Sequence, residues 1–232
     1  MTLEKSTKQI YFMEKLNQFH WSDYQTASQE VEKNGQYQPL IDWYDQNYKI
    51  FEGGTTAAHK CCELLHEHLR NYHNLAILDL GCGTGDQIRI LSEMGFRGSF
   101  YGIDMSAAML ESAKSKGLYK ELKQSILPEI PYPDSTFDVI ISAGTLCSPG
   151  NAPPESLREM IRVTKSGGLL CFSYRKHWFD NQESGWKKIH EEMLRTGLMK
   201  EILSEVSVYI DRVNVNGLRE NIDGLYFICQ KC

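Results

Sequence analysis

Three glycines at alternate positions, Gly81, Gly83 and Gly85, stand between the apolar run Ala76–Leu80 and Asp86. Asp79 precedes the first of them by two residues, and Asp104 follows the last by nineteen. Glycine has no Cβ, so a run of this kind turns tightly and lets its backbone approach a ligand closely. A helix starting just beyond it adds unsatisfied N–H groups at the same place. A carboxylate closing the next strand can accept both hydroxyls of a ribose. These residue types at this spacing point to capture of an adenosine-type cofactor.

The details narrow the cofactor. A dinucleotide fingerprint reads G-x-G-x-x-G, whereas the spacing here is G-x-G-x-G and Asp86 takes the place of the third glycine. A negative charge at a helix start repels a pyrophosphate. With Asp79 as a second carboxylate at the turn, the loop suits a cofactor with a cationic end and no phosphate. S-adenosylmethionine, with a sulfonium and an ammonium, has that chemistry. A dinucleotide oxidoreductase would require Asp86 to tolerate a pyrophosphate.

These residues need elements to hold them. Ala76–Leu80 reads as a buried strand, and "DQIRILSEMG" as a helix with Ile88, Leu91 and Met94 on one face and Gly95 as its stop. Ser99–Asp104 is the next strand. Ser106 is a candidate N-cap for "SAAMLESAKSKG", which Gly117 ends. "ELKQSI" and Phe137–Ala143 read as strands three and four. "PPESLREMIRVTKSGG" reads as a helix opened by proline and closed by glycine, and Leu169–Arg175 as strand five. A helix over Trp186–Ile202 and two late strands, "EVSVYIDRV" and "GLYFICQK", complete the pattern. Alternation of this kind predicts an α/β fold, a Rossmann-like, mainly parallel seven-stranded sheet with helices on both faces. The first part of the chain reads as helical, including "TTAAHKCCELLHEHLR". The expected organisation is a single domain, 1–232, with a helical N-terminal cap over 1–54 and the core over 55–232.

Composition sets limits. The 232 residues suffice for one domain with a full core, and 41% apolar with 24% charged residues is ordinary for a globular chain. The net charge is −5, and basic residues form no stripe or run, which argues against a nucleic-acid partner. The first residues lack the apolar core of a signal peptide, and no stretch reaches the length of a membrane span. Seven scattered cysteines, an odd count, read as reduced thiols of a cytoplasmic protein. Cys229 and Cys232 form one terminal C-x-x-C, which without a second pair reads as chance. No paired Cys/His spacing or H-E-x-x-H suggests a metal.

"ILDLGCGTGDQ" resembles the first motif of class I S-adenosylmethionine-dependent methyltransferases, and "YGIDMS" their second. "IPYPDSTFDVIIS" and "LREMIRVTKSGGLLCFS" are similar to the stretches around their fourth and fifth strands. Together these cover roughly 75–174, and four ordered motifs are far more specific than one. Within the class, "YQPLIDWYDQNY", with Tyr37 and Tyr44 seven residues apart, and "YGIDMSAAMLESAKSKGLY" resemble the Williams–Beuren-region methyltransferase-like group.

The resemblance implies S-adenosylmethionine as cofactor and S-adenosylhomocysteine as product, without a metal. It implies that Asp79 holds the ammonium, directly or through water, and that Gly81, Cys82 and Gly83 bring backbone to the methionine moiety. Asp104 would take the ribose hydroxyls, and Met105 would pack on adenine. Tyr37 and Tyr44 would reach the cofactor carboxylate or close over the sulfonium, against the alternative of simple packing within the cap. Many relatives carry an acidic residue after strand three for the adenine amino group. Here the register reads Gln124, Ser125, Ile126, so backbone near Ser125 and Ile126 or the Gln124 or Ser125 side chain would serve. Ala143 and Gly144 would leave room where methyl transfer occurs.

Methyl transfer needs alignment more than a nucleophile, and a base only if the acceptor must lose a proton. His177 after strand five is a candidate base, with Tyr174 beside it; surface or packing roles are the alternative. Thr145, Cys147, Arg175 and Trp178 are candidate acceptor contacts. Aromatics of the cap and of the stretch after strand five (Tyr11, Phe12, Phe19, His20, Trp21, Tyr24, Trp178, Phe179) would form a closed apolar pocket suited to a small molecule. The N-P-P-Y-type motif for amide or base amino groups is absent: strand four continues Ser142-Ala143-Gly144-Thr145. The expected acceptor is therefore a small molecule with an O, N or S nucleophile. The alternatives are a protein or peptide acceptor, or a non-catalytic cofactor-binding partner protein.

Overall fold

The computed structural model describes residues 57–70, 72–146, 152–213 and 219–232. The expected cap over 1–54, its aromatics, Tyr37, Tyr44 and Cys147 lie outside the described residues. In chain order the elements are α1 (Ala57–Leu69), β1 (Leu75–Leu80), α2 (Asp86–Glu93), β2 (Gly98–Asp104), α3 (Ala107–Ser115), β3 (Tyr119–Gln124), β4 (Phe137–Ser142), α4 (Ser156–Val163), β5 (Thr164–Arg175), α5 (Lys176–Asp180), α6 (Trp186–Arg195), β6 (Met199–Val213) and β7 (Arg219–Lys231). The strands form one sheet in the order β3-β2-β1-β4-β5-β7-β6. The first five run parallel, and β7 pairs antiparallel with both β5 and β6. The order reverses between β1 and β4, so the carboxyl ends of those strands flank the crevice where open α/β sheets receive ligands.

Alternation along each strand builds a core on either face. Leu78 and Leu80 of β1 and Phe172 and Tyr174 of β5 point to one side, against Leu157, Met160 and Ile161 of α4 and Trp186 and Met193 of α6. Ile77, Ile141 and Cys171 point to the other, against Cys61 and Leu65 of α1 and Ile88 and Leu91 of α2. Ser106 caps α3 as expected, its Oγ accepting from the Met109 N–H at 3.4 Å.

Two boundaries differ from the sequence reading. The helix expected to run to Gly168 ends at Val163, and Thr164 already opens β5. Thr164 has extended backbone, pairs with Phe137, and turns its Oγ1 back to the Met160 carbonyl at 2.7 Å. Its β-branched side chain favours that strand start. The late helix ends at Arg195 and not near Ile202. Gly197, at φ +70°, takes the left-handed position, with N–H bonds from Gly197 to Leu194 and from Leu198 to Met193. This glycine-terminated motif stops the helix, and Met199 then starts β6.

Among the described residues no helix is long and apolar enough to cross a membrane, and no group of three or more His, Cys, Asp or Glu could hold a metal. Of the C-x-x-C pair, Cys229 is buried in the core and Cys232 is exposed, and both are free thiols.

Candidate functional site

The glycine loop is tied to the end of β2. The N–H groups of Gly81 and Cys82 both donate to the Ile103 carbonyl at 2.9 Å, and Gly85 N–H donates to Cys82 at 2.8 Å. Gly85, at φ +88°, is the N-cap of α2. The side of the loop toward β4 is closed by hydroxyls. Ser142 Oγ and Thr145 Oγ1 donate to the Leu80 carbonyl at 3.0 and 3.1 Å. A Cβ on Gly81 would stand 2.0 Å from Thr145 Oγ1, so only glycine fits there. Thr145, expected at the acceptor, is thus also a brace of the loop.

Asp104 closes β2 with its carboxylate fixed at both oxygens. Oδ2 accepts from Gly83 N–H at 2.8 Å and Oδ1 from Ser106 N–H at 2.9 Å. The side chain is held in one orientation at the rim of the loop. Around it lie the groups expected near adenine. Met105 is half-buried and its carbonyl accepts from Gln124 Nε2 at 2.9 Å. Ser125 N–H donates to the Asp104 carbonyl at 3.0 Å while its Oγ turns to Glu129. Ile126 leaves 48% of its surface exposed, an apolar patch beside a polar rim.

Asp79 is fully buried on the α1–α2 side of the sheet. Oδ1 accepts from Gln87 Nε2 at 2.6 Å and Oδ2 from the Tyr119 hydroxyl at 2.7 Å. Burial pushes its carboxyl up to about 7, the Tyr119 bond works the other way, and the charges of Asp104 and Asp86 add to the rise. Asp86 is matched by Arg89 at 3.3 Å and Lys116 at 3.5 Å. Lys116 also donates to the Thr84 carbonyl. Gln87 Oε1 is buried without a hydrogen-bond partner among the described residues. A buried carboxylate beside an orphaned acceptor is short of donors, which an ammonium would supply. The residues present therefore fit a cofactor with a cationic tail and a ribose.

Tyr119 and Gln87 were not foreseen from the sequence. Gln87 sits inside the first motif, where its spacing signals only a helix. Nothing along the chain links Tyr119 to a carboxylate forty residues away.

The acceptor candidates separate. Ala143 is half-buried past β4 and Gly144 is exposed at φ +83°. A Cβ on Gly144 would lie 3.9 Å from the Tyr209 hydroxyl, and Arg175 stacks its guanidinium 5.5 Å from the Tyr209 ring. Arg175, Tyr209 and Gly144 thus meet beyond the ends of β4 and β5, with Tyr209 an addition to the expected set. His177 is exposed on α5 with its ring 5.3 Å from that of half-buried Trp178. Tyr174 is the correction. It is fully buried among Phe172, Phe179, Trp186 and Phe227, with its hydroxyl 3.5 Å from His190 Nδ1. Strand alternation turns it into the core while Arg175 faces the opposite side, so it has no surface to offer a ligand. Cys82 is also buried, its thiol pushed up by burial, and contributes backbone to the loop.

A family model described as a methyltransferase domain matches residues 71–207. Human methyltransferase-like protein 27 is 40% identical over 105 residues, 44% of this chain and 42% of that protein. The demethylmenaquinone methyltransferase of Lactiplantibacillus plantarum is 32% identical over 146 residues, 59% of this chain and 60% of that protein. The chain therefore spans between two-fifths and three-fifths of these curated relatives. Among solved structures, the YcgJ protein of Bacillus subtilis shares the fold at a TM-score of 0.54 and 16% identity, over 75% of this chain and 98% of that one. The chain belongs to the methyltransferase-domain family, in the S-adenosylmethionine-dependent class that its motifs resemble.

Proposed function

We propose that this chain transfers a methyl group from S-adenosylmethionine to an O, N or S atom of a small molecule. The observation that carries the reading is Asp104, fixed by two backbone N–H groups at the end of β2 beside the glycine loop. In this reading Asp104 takes the ribose hydroxyls, and Met105 with Ile126 covers adenine. Asp79, held by Gln87 and Tyr119, would hold the ammonium directly or through water, and Tyr37 and Tyr44 would reach the cofactor carboxylate or close over the sulfonium. Bound S-adenosylmethionine supplies a methyl on a sulfonium, whose transfer leaves a neutral thioether. The protein's part is alignment and exclusion of water. Ala143 and Gly144 leave space at the end of β4, and Thr145 holds the loop against that edge.

The small-molecule acceptor rests on three supports. One relative is named for a quinone-type substrate, demethylmenaquinone. The acceptor side would combine Arg175 with Tyr209, a cation against an aromatic ring, with Trp178 and Cys147 as further candidate contacts. The net charge of −5 disfavours a polyanion. Where the acceptor must lose a proton, His177 is the candidate base. Buried free thiols at Cys61, Cys62, Cys82, Cys171 and Cys229 suit a reducing, cytoplasmic setting.

The test is calorimetric titration with S-adenosylmethionine, S-adenosylhomocysteine and NAD, followed by transfer of labelled methyl to fractionated metabolites. Binding of the first two without NAD, and label in a low-mass product, is the expected result. Label confined to protein would replace the small molecule with a peptide acceptor. Binding without transfer to either would leave a non-catalytic cofactor protein.

A further inference from the structure

Asp79, Gly102 and Tyr119 lie on three adjacent strands. Asp79 of β1 is in register with Gly102 of β2, and Gly102 with Leu122 of β3. Gly102 has no side chain on this face, and that gap is filled from β3. A Cβ there would meet Leu122 Cδ2 at 2.6 Å and Tyr119 Cε1 at 2.9 Å. The Tyr119 ring therefore leans over β2 and under the loop, where a Cβ on Gly85 would meet it at 3.0 Å. Its hydroxyl ends 2.7 Å from Asp79 Oδ2. A tyrosine placed this way spends a large side chain to reach one carboxylate oxygen.

Other titratable and charged groups surround Asp79 on every side described. Asp86 comes from α2 and Asp104 from the end of β2, and both oppose its ionisation. Lys116, between α3 and β3, favours it. Cys62 of α1 and Cys82 of the loop are thiols kept neutral by burial. Tyr119 is itself held neutral by burial and by Asp79, so it remains a donor. The hydroxyl and Gln87 Nε2 are the two direct donors to the carboxylate among the described residues.

We infer that Tyr119 is a positioning residue for cofactor capture: its hydroxyl, brought across the gap at Gly102, holds the Asp79 carboxylate in place and in its charged form under the glycine loop, and so extends capture of an ammonium-bearing cofactor to lower pH. The inference rests on the reading of the site given above. A cofactor lacking the ammonium would not sense it.

The experiment is calorimetric titration of S-adenosylhomocysteine and of 5′-methylthioadenosine, which lacks the amino-acid tail, between pH 5.5 and 8. The proteins are the wild type, Tyr119→Phe and Asp79→Asn. For the wild type, S-adenosylhomocysteine affinity should rise with pH and level off as Asp79 ionises, while methylthioadenosine stays flat. Loss of one hydrogen bond to a carboxylate should move the Tyr119→Phe midpoint up by about one pH unit, a loss of roughly tenfold at pH 5.5 and roughly fivefold at pH 7 that shrinks toward pH 8. Asp79→Asn should be weak and flat. Should Tyr119→Phe fold poorly, 3-fluorotyrosine at position 119 keeps the ring, donates more strongly and should move the midpoint down. An equal loss at every pH, an unmoved midpoint, or the same pH profile for methylthioadenosine would overturn the inference. If the wild type binds neither ligand, the site reading itself falls; if it binds both and only the midpoint fails to move, the site reading stands alone.

Discussion

Replacing Asp104 by alanine tests the site at its most constrained point. The wild-type carboxylate accepts N–H bonds from Gly83 and Ser106 at 2.8 and 2.9 Å. The variant therefore loses two charge-assisted bonds within the protein and, in the proposed complex, two from the ribose. Hydrogen bonds to a charged group contribute about 1.5–3 kcal/mol each. The ribose pair alone predicts a loss of about 3 kcal/mol or more, roughly a hundredfold rise in Kd for S-adenosylhomocysteine. The lost backbone bonds would lower Tm as well, so affinity by itself does not isolate the ribose contact. A double-mutant cycle does. S-adenosylhomocysteine lacking its 2′ and 3′ hydroxyls should bind wild type and Asp104→Ala with nearly equal Kd, measured by calorimetry. A hundredfold penalty that persists with the deoxy ligand would refute the ribose assignment and make Asp104 a brace of the loop.

Gly81→Ala should be severely disruptive, because its Cβ would stand 2.0 Å from Thr145 Oγ1 and its φ is +69°; thermal unfolding should show a loss of about 2 kcal/mol or more, partly restored by adding Thr145→Ala. Asp79 has a folded-state value of about 7 against 3.8 for the ordinary group, so its contribution is full below pH 4 and is lost as pH rises through 7. Asp79→Asn should then raise the Tm of the ligand-free protein at pH 8 but not at pH 4, with roughly 4 kcal/mol as the upper bound. His190 runs the opposite way: burial lowers it to about 4, so its stability is present above pH 6.5 and is lost as pH falls through 4. His190→Phe, within its ring of Phe172, Phe179 and Phe227, should flatten the fall in Tm between pH 7 and 4.5.

The parallel half of the sheet is legible because β1 and β4 are short, largely apolar runs, and α2 and α3 carry glycine or serine signals at their ends. The glycine turn and Asp104 were legible for the same local reason: each acts through backbone within a few residues. Errors came where two local signals competed. Thr164 looked like the continuation of an amphipathic helix, but its pairing with Phe137 decided for strand. Gly197 was a stop signal passed over in a run that kept its helical composition. Contacts between distant strands were out of reach. Tyr119 meets Asp79 because Gly102 leaves a gap between them, and only the register of three strands shows it. Tyr174 differs from expectation for the complementary reason: its place near the end of β5 does not tell which face of the strand its side chain takes.

The charge of the loop bears on the kind of cofactor more than on the fold. Asp79, Asp86 and Asp104 all lie at the turn, yet they are not equivalent. Asp86 is engaged by Arg89 and Lys116, so its charge at the start of α2 is largely offset. Asp104 is aimed by two N–H groups at the rim. Asp79 is fully buried, its two oxygens held by the neutral side chains of Gln87 and Tyr119, and no cation touches it among the described residues. Adding a pyrophosphate beside α2 would place further negative charge against a carboxylate that already resists ionising. An ammonium brought near it would instead favour its charged form. The same buried group therefore disfavours a dinucleotide and favours a cofactor with a cationic amino-acid tail. That asymmetry follows from where the charges sit and not from the glycine spacing alone.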